Sequence, residues 1–497
     1  MKRKIALIVL DGFGLREESY GNAINLAKMP YFNSLKENYS FTKLKTHGHF
    51  VGLDDCQFGN SEVGHLNLGS GRVVKQNSVK ISDEIISGEF FKNETLLNLF
   101  EKLKSADGVL HTFGVCSNGG VHSSLSHLIS LIDFAKQCGV KNVYIHFISD
   151  GRDTKRDIGE MFYNTLQDHL NKIQYGKIVS VTGRFYAMDR EKNYDRTEKF
   201  LDVLLNYEAE NTFEDLKNVF KESYNKEIYD EFIEPSILKG ENFALKENDG
   251  VLAFNFRSDR MKQIFELLIE RQVENLYSFI RYDDNFNEVK VVFKEDSAEN
   301  CLSDVLSKNN LTQLRISETT KFAHVTYFFN LLKETPFKNE NRIIIKSDEI
   351  ENFAEKPKMK AGEITNRVIE ETNKNKYDFI LINYPNCDMV GHSGNLDATI
   401  VSVEFLDKCL KKLCEDLKNK GYTILITADH GNADIMINKD GSVCTTHTTS
   451  DAPFIIIDKE IYKLRNDGKL ADVSPTILDL FNIKPPKEFT EHSLIIK

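Results

Sequence analysis

No apolar run in this chain comes near the roughly 20 residues that a membrane-spanning helix needs, so no bilayer partner is expected. Basic charge is also in short supply, with 64 Lys and Arg against 75 Asp and Glu and a formal net charge of −11. Nucleic acids and anionic membrane surfaces are bound through basic footprints, so neither is expected here. Any anionic small molecule must be met by local arginines. The eight cysteines are irregularly spaced and form no C-x-x-C pair, which points to reduced thiols and a cytoplasmic location rather than a disulfide framework. There is no solenoid-period repeat, low-complexity tract or heptad seam, so a monomer is the expectation. In that setting the Asn-x-Ser/Thr triplets at Asn38, Asn93 and Asn310 are chance occurrences.

What the sequence does hold is enough apolar content, 41% of 497 residues, for two to three domains with large cores. Met1-Lys-Arg-Lys4 followed by Ile5 to Leu10 resembles the start of a signal peptide, but the apolar run ends after six residues at Asp11. It reads as a first buried strand. Short apolar runs then alternate with amphipathic segments, the pattern of a parallel α/β sheet. Several runs end in chemistry. Ile5–Leu10 leads to Asp11, Val143–Ile148 to Asp150-Gly-Arg-Asp153, Lys177–Val181 to Arg184, Phe379–Ile382 to Asp388 and His392, and Thr423–Thr427 to Asp429-His430. Open α/β sheets bind ligands beyond the carboxyl ends of their strands. Leu125, Leu128, Ile129, Ile132 and Ala135 predict a helix ended by Gly139, and Leu406, Leu410, Leu413 and Leu417 one ended near Gly421. His127 and Cys414 on these helices are assigned to packing.

Metal-type residues fall in two blocks near the ends of the chain, Asp11 with Ser61 and then Asp388 to His447, while arginine-bearing strand ends dominate from His122 to Arg260. A compact metal site needs the end blocks together, so the middle is read as an insertion. The expected division is residues 1–75 with 299–497 for the metal-binding domain and 76–298 for the insert, with linkers near Val74–Ser78 and Lys294–Asn300. The stretch Glu349–Lys360 is read as a solvated connection. Ser61, between Gly59 and Gly64 and preceded by Asn60, is placed to project from a tight turn at a helix N-terminus, where backbone N–H groups favour an anion. A serine hydroxyl becomes a useful nucleophile only when a base or a metal draws off its proton. Candidate metal ligands follow from spacing. Asp388 and His392 lie four residues apart and His447 could complete their set, while Asp429 and His430 with Asp11 and the Ser61 oxygen would make a second. Mixed oxygen and nitrogen donors suit Mn²⁺, Zn²⁺, Co²⁺ or Mg²⁺. Cys56 lies five residues before Ser61 with no activating base nearby, and is read as structural.

Nine motifs now stand in order along nearly the whole chain: Gly59-Asn-Ser-Glu-Val-Gly-His65, Gly119-Gly-Val-His122-Ser, Asp150-Gly-Arg-Asp-Thr154, Gly183-Arg-Phe-Tyr-Ala-Met-Asp-Arg190, Phe254-Asn-Phe-Arg257-Ser-Asp-Arg260, Lys321-Phe-Ala-His-Val-Thr326, Asp388-Met-Val-Gly-His392, Thr427-Ala-Asp-His-Gly-Asn432 and His447-Thr-Thr. Together they resemble the cofactor-independent phosphoglycerate mutase family of the alkaline phosphatase superfamily. The resemblance implies an α/β fold with a discontinuous, alkaline-phosphatase-like parallel-sheet domain and an inserted α/β transferase domain. It also implies interconversion of 3-phosphoglycerate and 2-phosphoglycerate through a phosphoserine, with two divalent metals, usually manganese, and no 2,3-bisphosphoglycerate.

Carried onto this chain, the resemblance makes Ser61 the nucleophile. Asp11, Ser61, Asp429 and His430 hold one metal, and Asp388, His392 and His447 the other. Lys321 offsets charge on the transferring phosphoryl group, and Asp153 is the general acid/base. His122, Arg152, Asp153, Arg184, Arg190, Arg257, Arg260 and Lys321 bind substrate, since forked guanidinium groups suit carboxylate and phosphate. Departures from the family pattern are Asn118 for an aspartate, Ser258 for a proline, Tyr194 for a tryptophan, and Phe329-Asn-Leu-Leu332 where a glycine pair is expected. Two other functions share part of the pattern. A phosphatase or phosphopentomutase of the superfamily would keep the metal blocks without needing the arginine array, and a non-catalytic metal-binding protein would be expected to have lost Ser61 or ligands.

Overall fold

The run Ile5–Leu10 is continuous rather than alternating because its strand, Lys4–Leu10, is buried on both faces, with all six apolar side chains fully enclosed. It is the central strand of a seven-stranded sheet in a computed structural model that describes residues 3–55, 57–294 and 299–497. Cys56 and part of the second expected linker lie outside the described residues.

The chain divides into two compact units, Met1–Gln76 with Ser297–Lys497, and Asn77–Asp296. In the first, the strands run in the order Glu340–Ile345, Gln313–Glu318, Phe379–Tyr384, Lys4–Leu10, Tyr422–Thr427, Ala452–Ile457, Ser40–Leu44. The first five are parallel, and the last two extend the sheet by antiparallel pairing. The helix Leu396–Asn419 begins under an Asn395 cap that accepts from the Ala398 N–H, and lays Leu406, Leu410, Leu413 and Leu417 into the core. It stops just before Gly421, whose φ of +77° suits a residue without a Cβ.

The second unit has an eight-stranded sheet in the order Lys290–Val291, Leu276–Ser278, Gly250–Ala253, Leu110–Val115, Val143–Ser149, Lys177–Gly183, Ser236–Leu238, Asn211–Phe213, parallel except where Lys177–Gly183 meets Ser236–Leu238. Helix Leu125–Cys138 ends at Gly139, which turns left-handed and donates its N–H back to Ala135 and Lys136. His127 on that helix is buried and meets the Ser82 hydroxyl at 2.8 Å, and Cys414 is fully buried in the other unit, so both serve packing. The core of this unit is rich in edge-to-face rings, with Phe134 meeting Phe91 and Phe100. Among the described residues no helix is long and apolar enough to cross a membrane.

Candidate active site and metal centre

Four neighbouring parallel strands of the first unit each deliver a charged residue past their carboxyl ends. Lys4–Leu10 leads to Asp11, Gln313–Glu318 to Lys321, Phe379–Tyr384 to Asp388, and Tyr422–Thr427 to Asp429 and His430. Helix Ser61–Ser70 brings in Ser61 at its first position, because Asn60 takes an extended conformation and caps the Val63 N–H. Two glycines allow the approach. A Cβ on Gly64 would stand 2.7 Å from the Asp429 carbonyl oxygen, and Gly12, at φ +77°, leaves no room for one beside the Asp388 backbone.

Ser61 Oγ, 5% of its residue exposed, lies 3.2 Å from Asp11 Oδ1, 2.9 Å from His430 Nε2 and 2.5 Å from Lys321 Nζ. Lys321 also reaches Asp11 Oδ1 at 2.7 Å and Asp388 Oδ2 at 2.6 Å. Burial opposes ionisation throughout this cluster, yet the opposite charges outweigh it. Against burial, the Lys321 ammonium and His430 hold the Asp11 carboxyl well below the usual range, and Lys321 with His392 and His447 does the same for Asp388. The carboxylates in turn raise Lys321 despite its burial, and lift His430, whose burial works the other way, to about 9. Surroundings that hold a proton on an imidazole this firmly favour a cation.

A second donor set adjoins the first. His392 Nε2 and His447 Nε2 lie 3.1 Å apart, and 3.1 and 3.3 Å from Asp388 Oδ1. Each ring donates its Nδ1–H to a carbonyl, His392 to Thr445 and His447 to Gly59, so the two Nε2 lone pairs and the carboxylate oxygen point at one another. Such an arrangement is repulsive unless a proton or a metal ion sits between, and it fits a divalent cation. Asp429 shows the same fit. Its Oδ1 accepts from the Gly12 and His430 N–H groups, while its buried Oδ2 has no hydrogen bond. Among the described residues the donor atoms of Asp388, His392 and His447, and those of Asp11, Asp388 and His430, each lie within 4.8 Å of one another.

The second unit repeats the placement with the opposite charge. His122 follows strand Leu110–Val115, Arg152 and Asp153 follow Val143–Ser149, Arg184 follows Lys177–Gly183, and Arg257 and Arg260 follow Gly250–Ala253. Those strands are again four neighbours. Arg184, buried, bridges Asp150 at 2.7 Å and Asp153 at 2.5 Å, and Asp153 Oδ2 lies 3.7 Å from His122 Nε2. Burial, then the Arg184 charge, pushes His122 down to about 4, so its ring is neutral. Burial and the charges of Arg190, Arg184 and Arg152 lower Arg260, which places these arginines within electrostatic reach of one another. Arg190 and Arg257 both pair with Asp259.

Residues 3–485 match the sequence profile of the metalloenzyme superfamily. The chain is 41% identical to the 2,3-bisphosphoglycerate-independent phosphoglycerate mutase of Staphylococcus saprophyticus and 40% identical to that of Staphylococcus aureus, over 99% of each chain. The chain belongs to the 2,3-bisphosphoglycerate-independent phosphoglycerate mutase family. A crystal structure of the Leishmania mexicana phosphoglycerate mutase at low cobalt concentration shares 30% identity and superimposes with a TM-score of 0.62, covering 100% of this chain and 98% of that one. Superfamily and donor sets together make this family member a binder of divalent cations.

Several residues that support the mutase-family motifs carried no assignment from sequence. Asn432 Nδ2 donates to Asp388 Oδ1 at 2.8 Å, and buried Asp434 accepts from Thr448 and Ser450, tying the Asp429 loop to the loop that carries His447. Asp150 fixes Arg184 and accepts from the Ser117 hydroxyl at 2.6 Å. Asn383 was detectable as the one polar side chain in the run Phe379–Ile382 extended to Tyr384. At the expected glycine pair, Leu331 and Leu332 keep the left-handed conformation, with φ of +53° and +65°, a strained choice for side chains with a Cβ.

Proposed function

We propose that this protein interconverts 3-phosphoglycerate and 2-phosphoglycerate by phosphoryl transfer through Ser61, without 2,3-bisphosphoglycerate. The observation that carries this is the Ser61 hydroxyl itself, at a helix N-terminus and in contact with Asp11, His430 and Lys321. In this reading the first unit is the metal-binding, phosphatase-like domain and the second the inserted substrate domain. Asp11, Ser61, Asp429 and His430 hold one divalent cation, and Asp388, His392 and His447 the other, with Mn²⁺ the preferred ion. Bound cations supply Lewis-acid stabilisation of the serine oxygen and of the transferring phosphoryl group.

The chain's own groups do the rest. Ser61 would lose its proton to water as the cation binds and react as the alkoxide, so that its Oγ–P bond forms as the bond from phosphorus to the sugar-acid oxygen breaks. The Lys321 ammonium offsets charge on Oγ and the phosphoryl oxygens. Arg152, Arg184, Arg190, Arg257 and Arg260, with neutral His122, hold the carboxylate and phosphate. Asp153 gives a proton to the leaving hydroxyl oxygen and takes one from the other hydroxyl before the phosphate returns. The enzyme works as a monomer in the cytoplasm, with no nucleic-acid or membrane partner.

The test couples 3-phosphoglycerate to enolase without added 2,3-bisphosphoglycerate, in Mn²⁺ and then in EDTA. Wild-type activity that disappears with EDTA, and falls by more than about a thousandfold in Ser61→Ala, is expected. Release of inorganic phosphate faster than isomerisation would replace the mutase reading with a phosphatase. Full activity of Ser61→Ala would remove the serine from the mechanism.

A further inference from the structure

His65 and Asn383 are fully buried behind the Ser61 cluster, and the mechanism above gives them no task. Asn383 is near the end of strand Phe379–Tyr384, and His65 lies one helical turn after Ser61. Asn383 Nδ2 is 2.7 Å from Asp11 Oδ2 and 3.1 Å from His65 Nε2. A carboxylate only accepts, so the amide nitrogen faces Asp11, and its second hydrogen is left for His65. His65 Nε2 therefore accepts, and the ring proton resides on Nδ1. That N–H donates to the Ser61 carbonyl at 2.9 Å and lies 3.2 Å from Asp429 Oδ2, the oxygen without a hydrogen bond. A doubly protonated ring would turn an N–H against the Asn383 NH₂ group. Flipping the amide to relieve that would set its oxygen against Asp11.

The donor atoms of Asp11, His65 and Asp429 also cluster within 4.8 Å, which would suit His65 as a metal ligand. Its hydrogen bonds argue against that, since one nitrogen donates and the other accepts within the protein. We propose that His65 and Asn383 are positioning residues, a hydrogen-bonded brace that runs from Asp11 to the Ser61 backbone, passes against Asp429 and so sets the spacing of the two carboxylates flanking Ser61. The inference rests on the reading of the Ser61 cluster as a cation site. Asn383 orients Asp11 so that Oδ1 is turned to Ser61, and His65 holds the serine's own backbone with its Nδ1–H packed 3.2 Å from the Asp429 oxygen that is left for a cation. Among the described residues neither makes a hydrogen bond to Asp388, His392 or His447, so the brace serves one cation site and not its neighbour.

The test uses the full chain, stripped by chelator and titrated with Mn²⁺ under calorimetry and electron paramagnetic resonance. Wild-type protein should bind two ions. His65→Phe, which keeps the ring volume and removes both nitrogens, should weaken one of the two by about ten- to a hundredfold and leave the other within about twofold. Asn383→Leu should weaken the same ion. In His65→Asn an amide nitrogen stands near the place of Nδ1, so most of the loss should be recovered. Equal weakening of both ions, or no weakening in a folded His65→Phe protein, would overturn the brace.

Should His65→Phe fail to fold, ¹⁵N-histidine spectra of the wild-type protein decide alone, with His65→Asn identifying the signal. The proton is expected on Nδ1, and a proton on Nε2 or on both nitrogens sinks the proposal. Wild-type protein that binds no pair of Mn²⁺ ions would instead refute the underlying reading of the metal site.

Discussion

The two units set their chemistry in the same place and by opposite means. Each sends its candidate site residues past the carboxyl ends of four neighbouring parallel strands, but the first gathers buried carboxylates and buried His430 around one ammonium, with His392 and His447 nearer the surface, and the second gathers arginines that are mostly open to water. Burial explains the difference. A small cation that must stay bound through catalysis is held best where water cannot compete, and there every charge needs a partner. Lys321 supplies it to Asp11 and Asp388. An anionic substrate that must arrive and leave, as proposed for the second unit, is better met by half-exposed guanidinium groups such as Arg190 and Arg257, while Arg184 is buried and clamped by Asp150 and Asp153. Stability and activity should therefore be inseparable in the first cluster and separable in the second.

The strongest attempt to break this contrast is Lys321→Met. It leaves buried carboxylates without their cation, so the chelator-treated protein should lose about 3–5 kcal/mol in denaturant unfolding. Turnover should fall by about a hundred- to a thousandfold, and Mn²⁺ should raise the melting temperature more than in wild-type protein. In the second unit, Arg257→Gln should change stability by less than about 0.5 kcal/mol, because the side chain is 52% exposed. Its kcat/KM for 3-phosphoglycerate should nonetheless fall by about ten- to a hundredfold, mostly in KM, for loss of a charge-assisted hydrogen bond. A comparable loss of stability in Arg257→Gln would erase the distinction.

Two smaller changes sharpen the account of the first unit. Glu318, enclosed at the end of the strand that leads to Lys321, accepts from the Lys360 N–H and the Ser347 hydroxyl, and burial raises it to about 7. A folded-state value above the unfolded one means that the folded protein keeps a proton the unfolded chain releases. Stability from this group is complete below about 4.5 and is lost as pH rises through about 7. Glu318→Gln cannot titrate, so between pH 5 and 8 the wild type should lose on the order of 1–2 kcal/mol relative to the variant in parallel melts. The smallest effect is expected from Leu332→Gly, where φ is +65° and the side chain is half-exposed. Relief of the left-handed strain, less the entropy cost of glycine, should stabilise the protein by about 0.5 kcal/mol in denaturant titration.

The positions of the strands were legible because parallel strands buried on both faces are written as unbroken apolar runs. Ile5–Leu10, Val143–Ile148 and Phe379–Ile382 all became strands extended by a residue or two. Helix ends were legible where glycine made them, at Gly139 and beside Gly421. The lysine- and glutamate-rich stretch from Glu349 to Lys360 was less so. It is half exposed and half partly buried, yet its last residue is tied to buried Glu318, a contact between residues 42 apart that no local pattern announces.

The sequence by itself determined the chemistry available: the kinds of side chain, the strand ends that carry them, and the family, through motifs in a fixed order. Tertiary structure alone decided which of those groups meet. Asn383 and His65 lie 318 positions apart, and Lys321 is 260 positions from Ser61, so their bonds depend on strand order rather than spacing. Strand order also decided the charges, since Asp11 and His430 owe their shifted ionisation to neighbours delivered by other strands. A side chain's identity is local, but its hydrogen bonds and its field belong to whatever the fold packs against it.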